Sequence, residues 1–171
     1  TPLCFSNPDV SWIAAERALA WVGLQPDALI FMITNGDGGW CQCPACNALD
    51  HAPQQHARRL LLWANRVVKP IGEQYPERIT MTFAYGGSDV PPPDVTPASN
   101  LWICGSTGAG NIEFWDHAVQ QNEPRLKAQA AKIDLWLKPA LGRYVVCEYH
   151  SGVYTPALVE TMQGRLRWYA A

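Results

Sequence analysis

The sequence predicts an α/β domain in which parallel strands alternate with helices. Its 171 residues suffice for one ordinary domain with a hydrophobic core, so we treat residues 1–171 as a single domain. Segments with helical and strand patterns follow the order α β α β β α β α. The strands are continuous apolar runs, which is typical of a parallel sheet covered by helices.

The first helix and the first strand have clear boundaries. Asn7 is a good N-cap and Pro8 suits the first helical position, so a helix is predicted over residues 8–23. The run "ALIFMIT", residues 28–34, is rich in strand-forming residues and is followed by a turn signal. We expect a strand buried on both faces.

The rest of the chain continues the alternation. Apolar positions three and four apart predict a second helix over residues 53–75, in which Pro70 is expected to cause a kink. Residues 86–99 hold four prolines and have no period, which indicates an irregular loop. The remaining predicted elements are the strands "RITMTFAY", "NLWICG" and "RYVVCEY" and the helices at residues 123–140 and 155–170.

Two architectures fit this order: part of a (β/α) barrel, or an open three-layer α/β sheet. No dinucleotide or phosphate-loop motif follows a strand, and "GSTGAGN" lacks the lysine of a phosphate loop. Carboxylates near strand ends favour the barrel. Because a complete barrel needs about 250 residues, four strands amount to about half of one. A half-barrel exposes strand edges, so we expect a homo-oligomer or a larger parent chain.

Charge and hydropathy exclude two classes of partner. A net charge of −2 with 13 Lys and Arg residues argues against nucleic acid. No apolar run approaches the roughly 20 residues of a membrane span. The chain begins "TPLC" without a methionine or a basic and apolar leader, so we expect any targeting segment to have been removed.

The segment "TNGDGGWCQCPAC", residues 34–46, predicts a metal site. Cys41, Cys43 and Cys46 have the spacing C-x-C-x-x-C, which lets one turn of backbone present two thiolates to a single ion. Cys4 precedes the first helix and is the expected fourth ligand, because that position and the cysteine loop fall at one end of adjacent strands. Four thiolates would form a closed, structural zinc site without a catalytic position.

The spacing leaves other interpretations open. Cys4 could form a disulfide bond with one of the loop cysteines, as in an exported protein, or the cysteines could be free thiols. His51 and His56 are alternative fourth ligands. Cys104 and Cys147 fall within strand patterns and are predicted to be small buried hydrophobic residues.

Two carboxylates at strand ends form the candidate catalytic pair. Glycoside hydrolysis commonly uses two carboxyl groups flanking the scissile bond. Asp37 follows the first strand and Glu148 ends the fourth, so Glu148 is the candidate acid and Asp37 the ionised partner. Alternatively, Asp37 belongs to a tight turn and Glu148 pairs with a nearby cation such as Arg143.

Aromatic and polar residues near the same strand ends are candidates for sugar binding, because flat aromatic rings stack on sugar C–H surfaces. The predicted substrate-binding residues are Asn35, Trp40, Tyr85, Trp115, Tyr149 and His150. The tryptophans at apolar helical spacing are assigned to packing instead; they are Trp12, Trp21, Trp63, Trp136 and Trp168.

The segments "LCFSNPDV", "NGDGGWCQCPACNALD" and "ITMTFAYGGSDVPPPDV" together resemble a family of uncharacterised bacterial domains. That family is grouped with glycoside-hydrolase TIM barrels, near the α-glucuronidase and hexosaminidase types. The similarity covers residues 3–104 well and 140–170 loosely. The family's adjacent Asn-Asp appears here as Asn35-Gly36-Asp37, and its preceding glutamine as Thr34.

The resemblance implies a sugar-acting barrel domain and favours a periplasmic or secreted location. Three functions are therefore compared. The first is a glycosidase that cleaves O-glycosyl bonds. The second is a carbohydrate-binding domain that is inactive because its acid is displaced by one residue. The third is a zinc-stabilised interaction module with no role in sugar recognition.

Overall fold

The computed structural model describes residues 2–37, 39–106 and 124–147. Helices and strands alternate along most of the chain, as predicted. In chain order the elements are α1 (Pro8–Gly23), β1 (Ile30–Met32), α2 (Pro44–Asn47), α3 (Ala57–Gln74), β2 (Ile79–Ala84), β3 (Leu101–Ser106), α4 (Pro124–Leu137) and β4 (Tyr144–Cys147).

Helix α1 has the predicted boundaries for the predicted reason. The Asn7 side chain accepts a hydrogen bond of 2.9 Å from the backbone N–H of Asp9, and Pro8 occupies the first turn. The helix buries Ala18 and Val22 and packs along α3. The segment before α1, which contains Cys4, lies beside the loop that follows β1.

The four strands form one parallel sheet in the order β1-β2-β3-β4. The register pairs Ile30 with Ile79, Thr80 with Leu101, and Ile103 with Tyr144. Because parallel crossovers are right-handed, a sequential order places the connecting helices on one face of the sheet. The α/β class is confirmed, and the order is compatible with part of a barrel and with an open sheet.

The main core lies between this helical layer and the sheet. Helix α3 contributes most of it, including Leu60, Leu61, Trp63, Val67 and Ile71, and the strands contribute Phe31, Leu101 and Ile103. Met81 and Cys104 are also buried but do not belong to this cluster. They alternate with the core-facing residues along β2 and β3 and therefore occupy the opposite face.

Several sequence predictions differ from the structure at the edge of the sheet. Strand β1 has only three residues and is not buried on both faces, since Ile30 is 53% exposed at the sheet edge. Trp12 and Trp21 are 66% and 45% exposed, so the assignment of Trp12 to packing was wrong. Trp21 still contacts Phe31 with its ring edge. Helical spacing alone does not reveal which face of a helix meets the core.

The second helix is shorter than predicted at its start. It begins at Ala57 rather than near residue 53, because the preceding residues form turns and the short helix α2. Pro70 lies inside α3, which continues to Gln74. The helix predicted at residues 155–170 lies outside the described residues. Within the described ranges, no helix has the length and hydropathy required to cross a membrane.

Candidate metal centre and strand-end loops

The four predicted cysteine ligands come together. The sulfur atoms of Cys4, Cys41, Cys43 and Cys46 all lie within 4.8 Å of one another. The Cys4 Sγ atom is 3.8 Å from Cys43 Sγ and 3.7 Å from Cys46 Sγ. Distances of this size leave room for one ion between the thiolates, given Zn–S bonds of about 2.3 Å.

Local backbone structure brings three of the sulfurs to the cluster. Cys4 lies in a turn before α1, in which its carbonyl accepts a 3.0 Å hydrogen bond from the Asn7 N–H. Cys43 is the N-cap of α2, and its Sγ accepts a 3.4 Å hydrogen bond from the Cys46 N–H. Pro44 occupies the first helical position. One short helical turn thus presents Cys43 and Cys46 on the same side.

Ser6 is a member of this cluster that the sequence analysis missed. Its Oγ atom lies 3.3 Å from Cys4 Sγ, 3.3 Å from Cys46 Sγ and 3.7 Å from Cys43 Sγ. A hydroxyl group can donate to a thiolate, so Ser6 is a polar partner of the sulfurs. Its position two residues after Cys4 is the signal that could have identified it.

The thiols of the cluster differ in acidity. The Cys46 backbone N–H, followed by the Ser6 hydroxyl, lowers the pKa of Cys43 to about 6. At Cys41 a backbone hydrogen bond with Cys43 acts to lower the pKa, but burial and hydrogen bonds with the other three thiols outweigh it and raise the pKa to about 11. Protons are thus unevenly distributed over the cluster, and a cation that binds there displaces them.

The donor set fits a structural metal ion. Four soft sulfur ligands occupy all positions of a tetrahedral site and leave none for substrate. All four cysteines are free thiols in this structure, and the cluster includes neither His51 nor His56. His56 instead places its Nδ1 atom 2.7 Å from Asp50 Oδ2.

A network of charged and aromatic side chains supports the cysteine loop. The buried Arg59 donates a 2.6 Å hydrogen bond to the Cys41 carbonyl. Its Cζ atom lies 5.2 Å from the centre of the Trp40 ring. The Trp40 ring also contacts Phe5 and His56, at centroid distances of 6.1 and 4.7 Å. These contacts on several sides of Trp40 favour a supporting role for this residue in the loop.

The loops after β1 and β2 meet at the carboxyl edge of the sheet. The Tyr85 hydroxyl donates a hydrogen bond to the exposed carboxylate of Asp37. Trp40 Nε1 donates a 2.9 Å hydrogen bond to the Gly86 carbonyl. Asn35 is half-buried, and its side-chain amide donates to the Gly36 carbonyl over 3.3 Å. The structure therefore brings Asp37 and Tyr85 of the predicted set into contact, and Asn35 lies two residues before Asp37 in the same loop.

The other predicted site residues lie outside the described part of the chain. They are Trp115, Glu148, Tyr149 and His150. Strand β4 is described as far as Cys147, the residue before Glu148. The role of Glu148 as the candidate acid stays a prediction.

Cys104 and Cys147 form a second, different group. Cys104 is buried, as predicted, whereas Cys147 is half-buried. Burial, followed by the neighbouring Cys147, raises the pKa of Cys104 to about 12. Burial and the nearby Cys104 likewise raise the pKa of Tyr144 to about 12.

The fold and the cluster define the class of protein: an α/β domain with a sequentially ordered parallel sheet and a four-cysteine site compatible with a structural metal ion. The family model described as "Domain of unknown function (DUF4838)" matches residues 1–160. The chain belongs to this family. Searches of the curated proteins and of the solved structures found no match. The expected family of uncharacterised domains is thus confirmed, and its grouping with glycoside hydrolases stays a prediction.

Proposed function

We propose that this domain is a glycosidase that acts on carbohydrate at the loops following its parallel strands, and that its four cysteines hold a structural zinc ion. The contact between the Asp37 carboxylate and the Tyr85 hydroxyl carries the catalytic part of the proposal. The clustering of four sulfurs carries the metal part. The two parts are tested separately.

The Asp37–Tyr85 contact supports a site of chemistry because it orients an exposed acid. Each residue lies on the carboxyl side of a different strand, which is where parallel α/β proteins place their ligands. The Tyr85 hydroxyl limits the orientations available to the carboxylate, and an exposed carboxylate remains accessible to substrate. In the proposal Asp37 is the ionised group, and Glu148 is the acid that protonates the leaving oxygen.

Zinc is the proposed ion because the donor set consists of four cysteine sulfurs. Thiolates favour zinc over magnesium or calcium, and tetrahedral four-thiolate sites are characteristic of structural zinc. The ion would join the segment before α1 to the loop after β1. It would thereby fix the loop that carries Asp37, and would take no part in bond cleavage.

The second candidate function is carbohydrate binding without turnover. The insertion of Gly36 between Asn35 and Asp37, relative to the resembled family, supports it. In this case Asp37 and Tyr85 contact sugar hydroxyl groups, and loss of either side chain weakens binding rather than catalysis.

A panel of aryl glycosides and immobilised glycans tests the catalytic part. We expect Asp37→Asn to lower turnover at least 100-fold, in line with the loss of an essential acid or base group. Tyr85→Phe should give a smaller loss. Asp27→Asn is the matched control, because Asp27 is exposed in the loop that precedes β1.

Each outcome has a definite meaning. Turnover by the native chain that Asp37→Asn abolishes supports the glycosidase. Glycan binding without turnover, weakened by both variants, supports the binding domain instead. Full turnover in Asp37→Asn, or the absence of both binding and turnover across the panel, would contradict the carbohydrate proposal. Native mass spectrometry tests the metal part and should show one zinc ion per chain.

A further inference from the structure

Arg59 is a fully buried charge beside the cysteine loop. Its side chain is 0% exposed, and that of Asp50 is 8% exposed. Burying a guanidinium group is costly unless its charge and its N–H groups find partners. The positions of these partners therefore indicate what the buried charge does.

The partners of Arg59 lie in the cysteine loop and in the segment that leads from it to α3. Nη1 donates to the Cys41 carbonyl over 2.6 Å. Nη2 lies 2.7 Å from His56 Nδ1. Nε lies 3.0 Å from Asp50 Oδ1 in an ion pair, although the N–H direction does not make this contact a hydrogen bond. Trp40 covers the guanidinium group.

The location of Arg59 on its helix is unfavourable without these partners. The first turn of α3 contains no acidic residue, and cations near a helix N-terminus oppose the helix dipole. Asp50 supplies the compensating charge from the loop rather than from the helix. The ion pair consequently links the first turn of α3 to the segment that carries three of the four sulfurs.

The planar guanidinium group suits this task better than an ammonium group. It presents several N–H groups in fixed directions, so it donates to the Cys41 carbonyl while its charge lies beside the Asp50 carboxylate. The ammonium group of a lysine keeps the charge but has no planar set of N–H groups, so it cannot reproduce the same arrangement of partners. A hydrogen bond to the Cys41 carbonyl fixes the backbone that carries the Cys41 sulfur and leads to Cys43.

We propose that Arg59, paired with Asp50, is a positioning residue for the four-cysteine metal site. It holds the Cys41 carbonyl, and with it the loop backbone, in the conformation that directs the sulfurs to one point. It contacts no substrate and does not ligate the ion. This inference rests on the metal part of the proposed function and is independent of the carbohydrate part.

The test measures metal affinity in the full chain by competition with a chromophoric chelator, with Zn²⁺ as the ion. We expect Arg59→Met to bind Zn²⁺ 10–100-fold more weakly, as is typical when an outer partner of a metal site is removed. Arg59→Lys should fall between this variant and the native chain. Arg66→Met is the control, since Arg66 is exposed on the same helix, and its affinity should not change.

Two further measurements separate positioning from general stability. Asp50→Asn removes the compensating charge with almost no change in shape. Its Zn²⁺ affinity therefore tests the pair if Arg59→Met fails to fold. Thermal melts of the metal-free variants report stability alone. Loading with Co²⁺ reports geometry, because the absorption of a tetrahedral cobalt–thiolate site changes when its sulfurs are displaced. We expect Arg59→Lys to alter this spectrum and Arg66→Met to leave it unchanged.

The outcomes distinguish this inference from the proposed function. Native affinity and a native cobalt spectrum in folded Arg59→Lys and Asp50→Asn would overturn the inference while leaving the zinc site intact. A native chain that binds neither Zn²⁺ nor Co²⁺ would overturn both. Weaker binding in the Arg59 and Asp50 variants, with an unchanged control, supports the positioning role.

Discussion

Cys43 of the metal cluster and Cys104 of the sheet have opposite shifts in thiol pKa. In the cluster, a backbone N–H and a serine hydroxyl lower the pKa of Cys43 to about 6. On the sheet, burial raises the pKa of Cys104 to about 12. The residue type is the same, so the difference arises from the surroundings. Polar donors from a turn and a helix start stabilise the Cys43 thiolate, whereas burial in the sheet, followed by the neighbouring Cys147, disfavours the Cys104 thiolate.

The largest expected difference between the two groups is in their reactivity. A thiolate reacts with iodoacetamide and a thiol does not, so the rate rises as pH passes upward through the pKa. In the metal-free protein, Cys43 should reach half its maximal rate near pH 6, and Cys104 should react only toward pH 12. At pH 7 these values correspond to a ratio of thiolate fractions of roughly 10⁵.

Mass spectrometry of peptides after timed alkylation gives the rate at each cysteine. Cys104 in the chain unfolded by denaturant is the control, because its reactivity should become that of an ordinary thiol. Equal alkylation rates at Cys43 and Cys104 in the folded protein would contradict the predicted difference in thiol pKa.

The next expected effect is on metal binding. Cys43→Ser keeps a good N-cap for α2 but replaces the soft sulfur ligand, so we expect Zn²⁺ affinity to fall at least 100-fold. Cys104→Ala removes a thiol from the other group and should leave the affinity unchanged. Chelator competition measures both variants. A loss of affinity in Cys104→Ala would show that the two groups are coupled.

The smallest expected effect concerns the packing on the core-facing side of β3, the strand that carries Cys104 on its other side. A methyl group at position 105 would overlap the Tyr144 hydroxyl. We expect Gly105→Ala to lower the free energy of unfolding by about 1–3 kcal/mol, as overpacking typically does. Gly36 has open space around it, so Gly36→Ala should change this free energy by less than about 0.5 kcal/mol. Chemical denaturation measures both, and an equal effect would argue against a closely packed sheet face.

The sequence predicted those features that depend on local chemistry. Asn7 and Pro8 defined the start of α1, and the cysteine spacing identified the three loop ligands. The expected order of strands identified the distant Cys4. The continuous apolar strands predicted a parallel sheet. The helix cap and the cysteine spacing act through residues close in sequence, and the sheet follows a general rule for the order of parallel strands.

Features that depend on tertiary contacts could not be predicted from local sequence patterns. The exposure of Trp12 depends on which face of α1 meets α3, and its helical spacing is the same for either face. The short helix α2 was missed because four residues have no period. The Arg59–Asp50 pair was missed although a signal existed: two arginines open α3, where a helix disfavours cations.

The separation of the ligands along the chain bears on how the domain folds. Cys4 lies 39 residues from Cys43 and 42 residues from Cys46 in sequence, with α1 and β1 between them. Closing so long a segment costs chain entropy, which the packing of α1 along α3 and a bound ion would both offset in the folded domain. An ion held by the four sulfurs would therefore tie the segment before α1 to the loop after β1, so metal affinity and the docking of α1 are expected to depend on each other.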